Sequence, residues 1–190
     1  MPDIFVIGGP NGAGKSTTAR EMLPAFLGCL EFVNADQIAQ GLPAFRPESV
    51  AFSAGRAMLN RLNELARQRI DFAFETTLAS RSFAPWLRRR RQDGFGVNLI
   101  YLWLLRPQLA VERVHRRVAA GGHDVPEKDI QRRYERGWRN FIELYMPLAD
   151  NWEVYDNSGF DPHRIALGGR EEPTTVLDAE TWERIKQHIR

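Results

Sequence analysis

The sequence predicts a three-layer α/β/α fold: a mostly parallel sheet of five strands, helices on both faces, and a helical lid. Three observations carry this expectation. The run Gly9-Pro10-Asn11-Gly12-Ala13-Gly14-Lys15-Ser16 reads G-x-x-x-x-G-K-S, a loop whose backbone N–H groups cradle phosphates. An apolar run too short for a helix, Ile4 to Gly8, precedes it, and a helix-forming stretch from Thr17 to Phe26 follows, the strand–loop–helix context such a loop needs. Two further apolar runs end in polar clusters, Asn34-Ala35-Asp36 and Glu75-Thr76-Thr77, and ligands of open α/β sheets bind beyond the carboxyl ends of strands. Together these define a P-loop nucleoside triphosphatase fold.

The loop's residue types follow from its task. Gly9, Gly12 and Gly14 let successive N–H groups turn toward one anion. The helix opening near Lys15 adds its partial positive end. Lys15 can reach the outer phosphates, and the Ser16 hydroxyl can ligate a Mg2+ ion that bridges them. ATP and Mg2+ are therefore the expected cofactors, with contacts from Gly9 through Thr17.

The chain of 190 residues is 43% apolar and 26% charged, as expected of one domain over 1–190 with a substantial core. A formal net charge of +2 sets up no global field for nucleic acid. Neither nucleic acid nor membrane is expected as a partner. Cys29 is the only cysteine and reads as core filler, and no basic and apolar leader precedes the first strand, so a cytoplasmic setting is expected. The longest apolar run, Leu99 to Leu105, is too short to span a bilayer. The histidines lack metal-ligand spacing, which excludes a zinc site of ordinary type.

After the first helix, Leu30 to Val33 reads as the second strand. Asp36 follows it and has two readings: a carboxylate that takes the proton of an attacking hydroxyl, or the cap of the turn Gln37–Gln40. Gly41 to Arg46 is a connection, and Pro47 opens a long helix with Ala54, Met58, Leu62, Leu65 and Ala66 on its core face. Ile70 to Glu75 is the third strand. Glu75, Thr76 and Thr77 at its end can bind polyols or sugars or orient a metal's water shell; the alternative is that they cap the next element. Ser80 or Ser82 can cap a helix running to Gln92, and the Arg88–Arg91 run reads as its solvated face or as a contact for an acidic partner or nucleotide.

Val97 to Leu105 is the strongest strand and is expected at the centre. Helices from Pro107 to about Ala120 and from Glu127 to about Tyr145, joined by Gly121-Gly122-His123-Asp124-Val125-Pro126, form the expected lid over about 107–146. Ile130, Tyr134, Trp138, Phe141 and Tyr145 form its buried stripe, which Arg132, Arg133, Arg136 and Arg139 largely avoid. Lid arginines can neutralise charge that develops in phosphoryl transfer. Glu153 to Asp156 is the fifth strand. Arg164–Leu167 and Thr175–Leu177 pair as a small hairpin, and Thr181 to Ile189 closes the chain, giving a C-terminal unit of about 163–190.

The ordered set resembles the zeta toxin family of P-loop kinases. The matching pieces are Gly-Pro-Asn-Gly-Ala-Gly-Lys-Ser-Thr at 9–17, Asn-Ala-Asp at 34–36, Phe-Glu-Thr-Thr-Leu at 74–78, and the stretch from Arg113 through Gly-Gly-His-Asp-Val-Pro to Arg132-Arg133. The resemblance implies ATP-dependent phosphorylation of a sugar hydroxyl on UDP-N-acetylglucosamine or a related UDP-sugar, restrained by an antitoxin protein. It implies Asp36 as general base, Lys15 as phosphate ligand and Ser16 as metal ligand. It places Glu75, with Thr76 and Thr77, at the acceptor, and Arg117, Arg132 and Arg133 at the nucleotide phosphates. His123 stands where such toxins often carry an arginine, so either a neighbouring arginine substitutes or His123 makes nucleotide binding pH-sensitive. The other readings are a P-loop kinase for an antibiotic, nucleoside or nucleotide, a nucleic-acid end-processing or binding protein that uses Arg88–Arg91, and a nucleotide-dependent interaction module.

Overall fold

The computed structural model describes residues 1–26, 28–41 and 47–187. Among these residues, seven strands form one sheet: β1 (Asp3–Gly8), β2 (Phe32–Val33), β3 (Phe72–Thr76), β4 (Gly96–Trp103), β5 (Asn151–Asp156), β6 (His163–Gly169) and β7 (Thr175–Val176). Their spatial order is β2-β3-β1-β4-β5-β6-β7. The first five are parallel, and β4 sits at the centre, where its apolar run leads one to expect it. The expected count of five strands is corrected to seven. The hairpin of β6 and β7 does not stand apart; it pairs antiparallel onto β5 and covers an edge that would otherwise be open.

The helices are α1 (Lys15–Phe26), α2 (Ala35–Gln40), α3 (Pro47–Gln68), α4 (Phe83–Gln92), α5 (Pro107–Ala119), α6 (Glu127–Asn140) and α7 (Ala179–Gln187). They cover both faces of the sheet, and alternation along the strands shows why. Ile4, Val6, Phe72, Phe74, Leu99, Tyr101 and Trp103 belong to one core cluster. Phe5, Ile7, Ala73, Ile100, Leu102 and Leu104 belong to the other. Strands buried on both faces need apolar residues at nearly every position. Among the described residues, no helix is long and apolar enough to cross a membrane.

Three expectations shift locally. The long helix from Glu127 ends at Asn140 and continues as a π-helical turn, Phe141–Tyr145, and a 3-10 turn, Met146–Leu148. Neither Ser80 nor Ser82 caps α4: their hydroxyls bond each other at 2.8 Å, and Ser82 makes no side-chain cap bond. The second strand is shorter than expected, with Leu30 left exposed. The expected connection lies outside the described residues at 42–46, as do Leu27 and the end of the closing helix at 188–190.

α6 is seated deeply. Ile130, Tyr134, Trp138, Phe141 and Tyr145 are all buried, and the Trp138 ring stacks on Phe141 at 5.2 Å. The fit over the end of β3 depends on Gly137, where an added Cβ would stand 2.3 Å from the Thr77 carbonyl oxygen. Gly137→Ala should therefore cost roughly 1–3 kcal/mol of stability, through backbone displacement. Thermal melting would show this as a fall of roughly 2–10 °C.

Candidate active site

The carboxyl edge of the sheet brings the sequence's candidate residues together in a fixed order. β3 lies beside β1, with Glu75 opposite Ile7 and Thr76 opposite Gly8. β2 lies beyond β3, so Asn34 and Asp36 follow on the far side of Glu75. The phosphate loop rises from β1 and enters α1 at Lys15. Gly9, Gly12 and Gly14 have φ of +144°, +76° and +84°, which L side chains rarely adopt. A Cβ on Gly9 would also meet the Leu102 carbonyl oxygen at 2.5 Å. Pro10, Asn11 and Ala13 are buried within the loop, while Thr17 faces solvent on α1.

Lys15 is buried, and its ammonium donates to the Pro10 carbonyl at 2.9 Å. Burial pushes its pKa down from the ordinary lysine value; the carboxylates of Glu75 and Asp36 oppose this, and the guanidinium groups of Arg117 and Arg133 add to it. The Ser16 hydroxyl donates to Glu75 Oε2 at 2.6 Å, and Asn34 Nδ2 donates to Ser16 Oγ at 3.4 Å.

The two readings of Asp36 separate here. Asn34 is the cap of α2, its Oδ1 accepting from the N–H groups of Asp36 at 2.7 Å and Gln37 at 3.3 Å. Asp36 sits in the first turn, exposed and without an ion pair among the described residues, so capping does not occupy its carboxylate. Thr76 and Thr77 turn their hydroxyl oxygens to the N–H groups of Leu78 and Ala79. They shape the loop after β3, where buried Leu78 is held at φ +55°.

The arginines of the expected lid divide. Arg117 donates through Nη2 to the His123 carbonyl at 2.8 Å, while its Nε is buried without a partner. Arg133 is half-buried and forms no ion pair among the described residues. Arg132 is different: it is exposed and paired with Asp129 at 2.7 Å. The His123 side chain faces solvent, and only its backbone touches Arg117. The Arg88–Arg91 run is largely solvated or used by the fold. Arg90 pairs with Asp93 at 3.1 Å and lies over Trp86, Arg91 donates to the Leu148 carbonyl, and Arg88 and Arg89 face solvent.

Sequence reasoning missed Asn157 at the end of β5, whose Nδ2 donates to the Ala13 carbonyl at 2.7 Å. A polar residue just past a parallel strand, on the edge that carries the loop, was the available signal. Asn34 appeared only as part of a motif; its capping role was readable from its place two residues ahead of Asp36.

The fold and this edge define a P-loop NTPase-like α/β protein with a mostly parallel sheet. The chain belongs to the AAA domain family, whose model matches residues 4–136. An uncharacterized protein of Haemophilus influenzae is 29% identical over 126 residues, covering 66% of this chain and 88% of that protein. The crystal structure of AvrRxo1-ORF1:-ORF2 with ATP superposes with a TM-score of 0.78 at 16% identity, covering 97% of this chain; the chain spans only 63% of that protein's length. A chain of the PezAT chromosomal toxin–antitoxin system of Streptococcus pneumoniae gives a TM-score of 0.66 at 15% identity, covering 100% of this chain and 86% of that one.

A buried ammonium held by one carbonyl carries a desolvation cost that an apolar side chain avoids. Lys15→Met should raise the melting temperature of the free protein, by the equivalent of about 1–2 kcal/mol near neutral pH, and abolish ATP binding in calorimetry. The sign follows from linkage. With the folded pKa below the unfolded one, the unfolded chain binds more protons between the two values, so the native protein gains stability as pH rises through that window. The advantage of Lys15→Met should therefore shrink as melting is repeated toward pH 10.5.

Proposed function

We propose that the chain acts as one kinase domain of zeta-toxin type, transferring the γ-phosphate of ATP to a sugar hydroxyl of UDP-N-acetylglucosamine or a related UDP-sugar. The observation that carries this reading is the phosphate loop itself, with three glycines at positive φ, Lys15 buried against it and Ser16 hydrogen-bonded to Glu75. The likeness to a structure with ATP and to a toxin–antitoxin chain supports it. An antitoxin protein is accordingly a proposed partner.

The loop N–H groups and Lys15 hold the β- and γ-phosphates. Arg117 and Arg133, carried on α5 and α6 of the proposed lid over about 107–146, neutralise the equatorial oxygens as charge redistributes. Asp36 stands on the acceptor side and accepts the proton of the sugar hydroxyl as its oxygen bonds to the γ-phosphorus; the bond to the β–γ bridging oxygen breaks and ADP leaves. Glu75, Thr76 and Thr77 line the path between acceptor and loop.

The donor chemistry beside the loop suits Mg2+. The Ser16 hydroxyl and a Glu75 oxygen are adjacent hard ligands, and such an ion takes its remaining ligands from phosphates and water. Among the described residues, no three His, Cys, Asp or Glu side chains form a metal cage. When bound, the ion would neutralise phosphate charge.

Mass spectrometry of UDP-N-acetylglucosamine after incubation with protein, ATP and Mg2+ should show a gain of one phosphate. Asp36→Asn should lower that transfer by about 10²-fold or more, with ATP affinity kept within about threefold, since Asp36 faces the acceptor. Normal turnover in Asp36→Asn would remove the residue from the chemistry. Absence of any gain, with ATP binding intact, would move the acceptor to another small alcohol.

A further inference from the structure

On the side of the phosphate loop away from Asp36 and Glu75, a second set of contacts has no part in the chemistry above. Asn157 stands directly over the loop: its Nδ2 donates to the Ala13 carbonyl at 2.7 Å, and a Cβ on Gly14 would come within 2.7 Å of the same nitrogen. Asn157 is in turn gripped by Arg113 on α5. Nη1 donates to the Asn157 carbonyl at 2.7 Å, and Nη2 to the carbonyls of Ser158 at 3.0 Å and Gly159 at 3.4 Å. Arg113 spends its charge on these carbonyls and forms no ion pair among the described residues. The turn is further pinned by the Asn157 N–H on the Trp103 carbonyl and by the Leu105 N–H on Ser158 Oγ, at 2.9 and 2.8 Å. Arg113 also touches the loop directly, since a Cβ on Gly12 would lie 3.0 Å from the Arg113 Cβ.

The peptide bond converts this anchorage into function. In a planar trans peptide the carbonyl and the following N–H point in opposite directions. Holding the Ala13 carbonyl toward Asn157 therefore turns the Gly14 N–H the other way, into the cradle of the loop. Ala13 is buried, and Gly14 adopts a φ of +84°, a conformation glycine tolerates. We infer that Arg113 and Asn157 form a positioning relay that fixes the Ala13–Gly14 peptide and so sets the affinity of the loop for the triphosphate. In this relay both residues act through the Ala13–Gly14 peptide. The relay rests on the kinase reading only in taking ATP as the loop's ligand.

The test is calorimetric titration of ATP and of tripolyphosphate, each with Mg2+, into the unmodified protein, Asn157→Ala, Arg113→Lys and the double variant, with melting curves to establish folding. Asn157→Ala should weaken ATP about tenfold, the effect of one lost hydrogen bond to a buried carbonyl. Tripolyphosphate should weaken by the same factor, because the relay acts on phosphate and not on the nucleoside. Arg113→Lys, which keeps the charge and loses the forked geometry, should weaken both ligands in the same direction. The double variant should be no more than about twofold weaker than Asn157→Ala, as members of one relay are not additive. In basal ATP hydrolysis the loss should fall on KM, with kcat at saturating ATP lowered no more than about threefold. Unchanged ATP affinity in a folded variant would overturn the relay, as would losses that multiply in the double variant or a loss for ATP that spares tripolyphosphate. Failure of the unmodified protein to bind ATP would overturn the kinase reading and the relay together. If Asn157→Ala does not fold, Arg113→Lys alone decides by the same comparison of ATP with tripolyphosphate.

Discussion

Lys15 is only 9% exposed, and its ammonium is held by a single neutral carbonyl, that of Pro10. A buried cation in that position is costly unless an anion joins it. Much of the surrounding architecture can be read as the means of keeping it there. The turn of the loop needs three glycines at positive φ. The start of α1 supplies N–H groups of the same sign as the lysine. Glu75 and Asp36 partly compensate the charge, while Arg117 and Arg133 add to it. The outcome is an edge built to be completed by a polyanion.

The sheet makes this arrangement rigid. β1 carries the loop between β3 and β4, both parallel to it and both buried on two faces. Acidic groups come from β3 and from the turn after β2 on one side. The loop after β5 supports the phosphate loop from the other. α6 bridges above: Gly137 rests on the Thr77 carbonyl, and Asn140 donates to the Leu78 carbonyl at 2.8 Å. Strand order thus puts the acidic groups on one side of the phosphate loop and the supporting Asn157 on the other.

Much of this was legible in the sequence because it rests on local rules. The loop motif, the apolar β4 run and the helical stripe from Ile130 to Tyr145 each report their own burial or turn. What escaped was non-local. That β6 and β7 extend the sheet depends on the open edge of β5, which no window of sequence contains. That Asn34 rather than Asp36 caps α2 is a choice between two good cappers two residues apart, decided by where β2 ends. That Arg132 turns outward to Asp129 while Arg133, the next residue, is half-buried follows from helix phase relative to a core defined by other elements. Asn157 is one residue among several polar ones, and only its register beside Trp103 brings it to the loop.

The most direct measurement is a calorimetric comparison of ATP and AMP binding to the unmodified protein in the presence of Mg2+. A site organised around the outer phosphates should favour ATP by about 10²-fold or more, since AMP leaves Lys15 and the two arginines without their charge-assisted partners. Equal affinities for the two nucleotides, or binding of neither, would contradict the assignment of this edge as a triphosphate site.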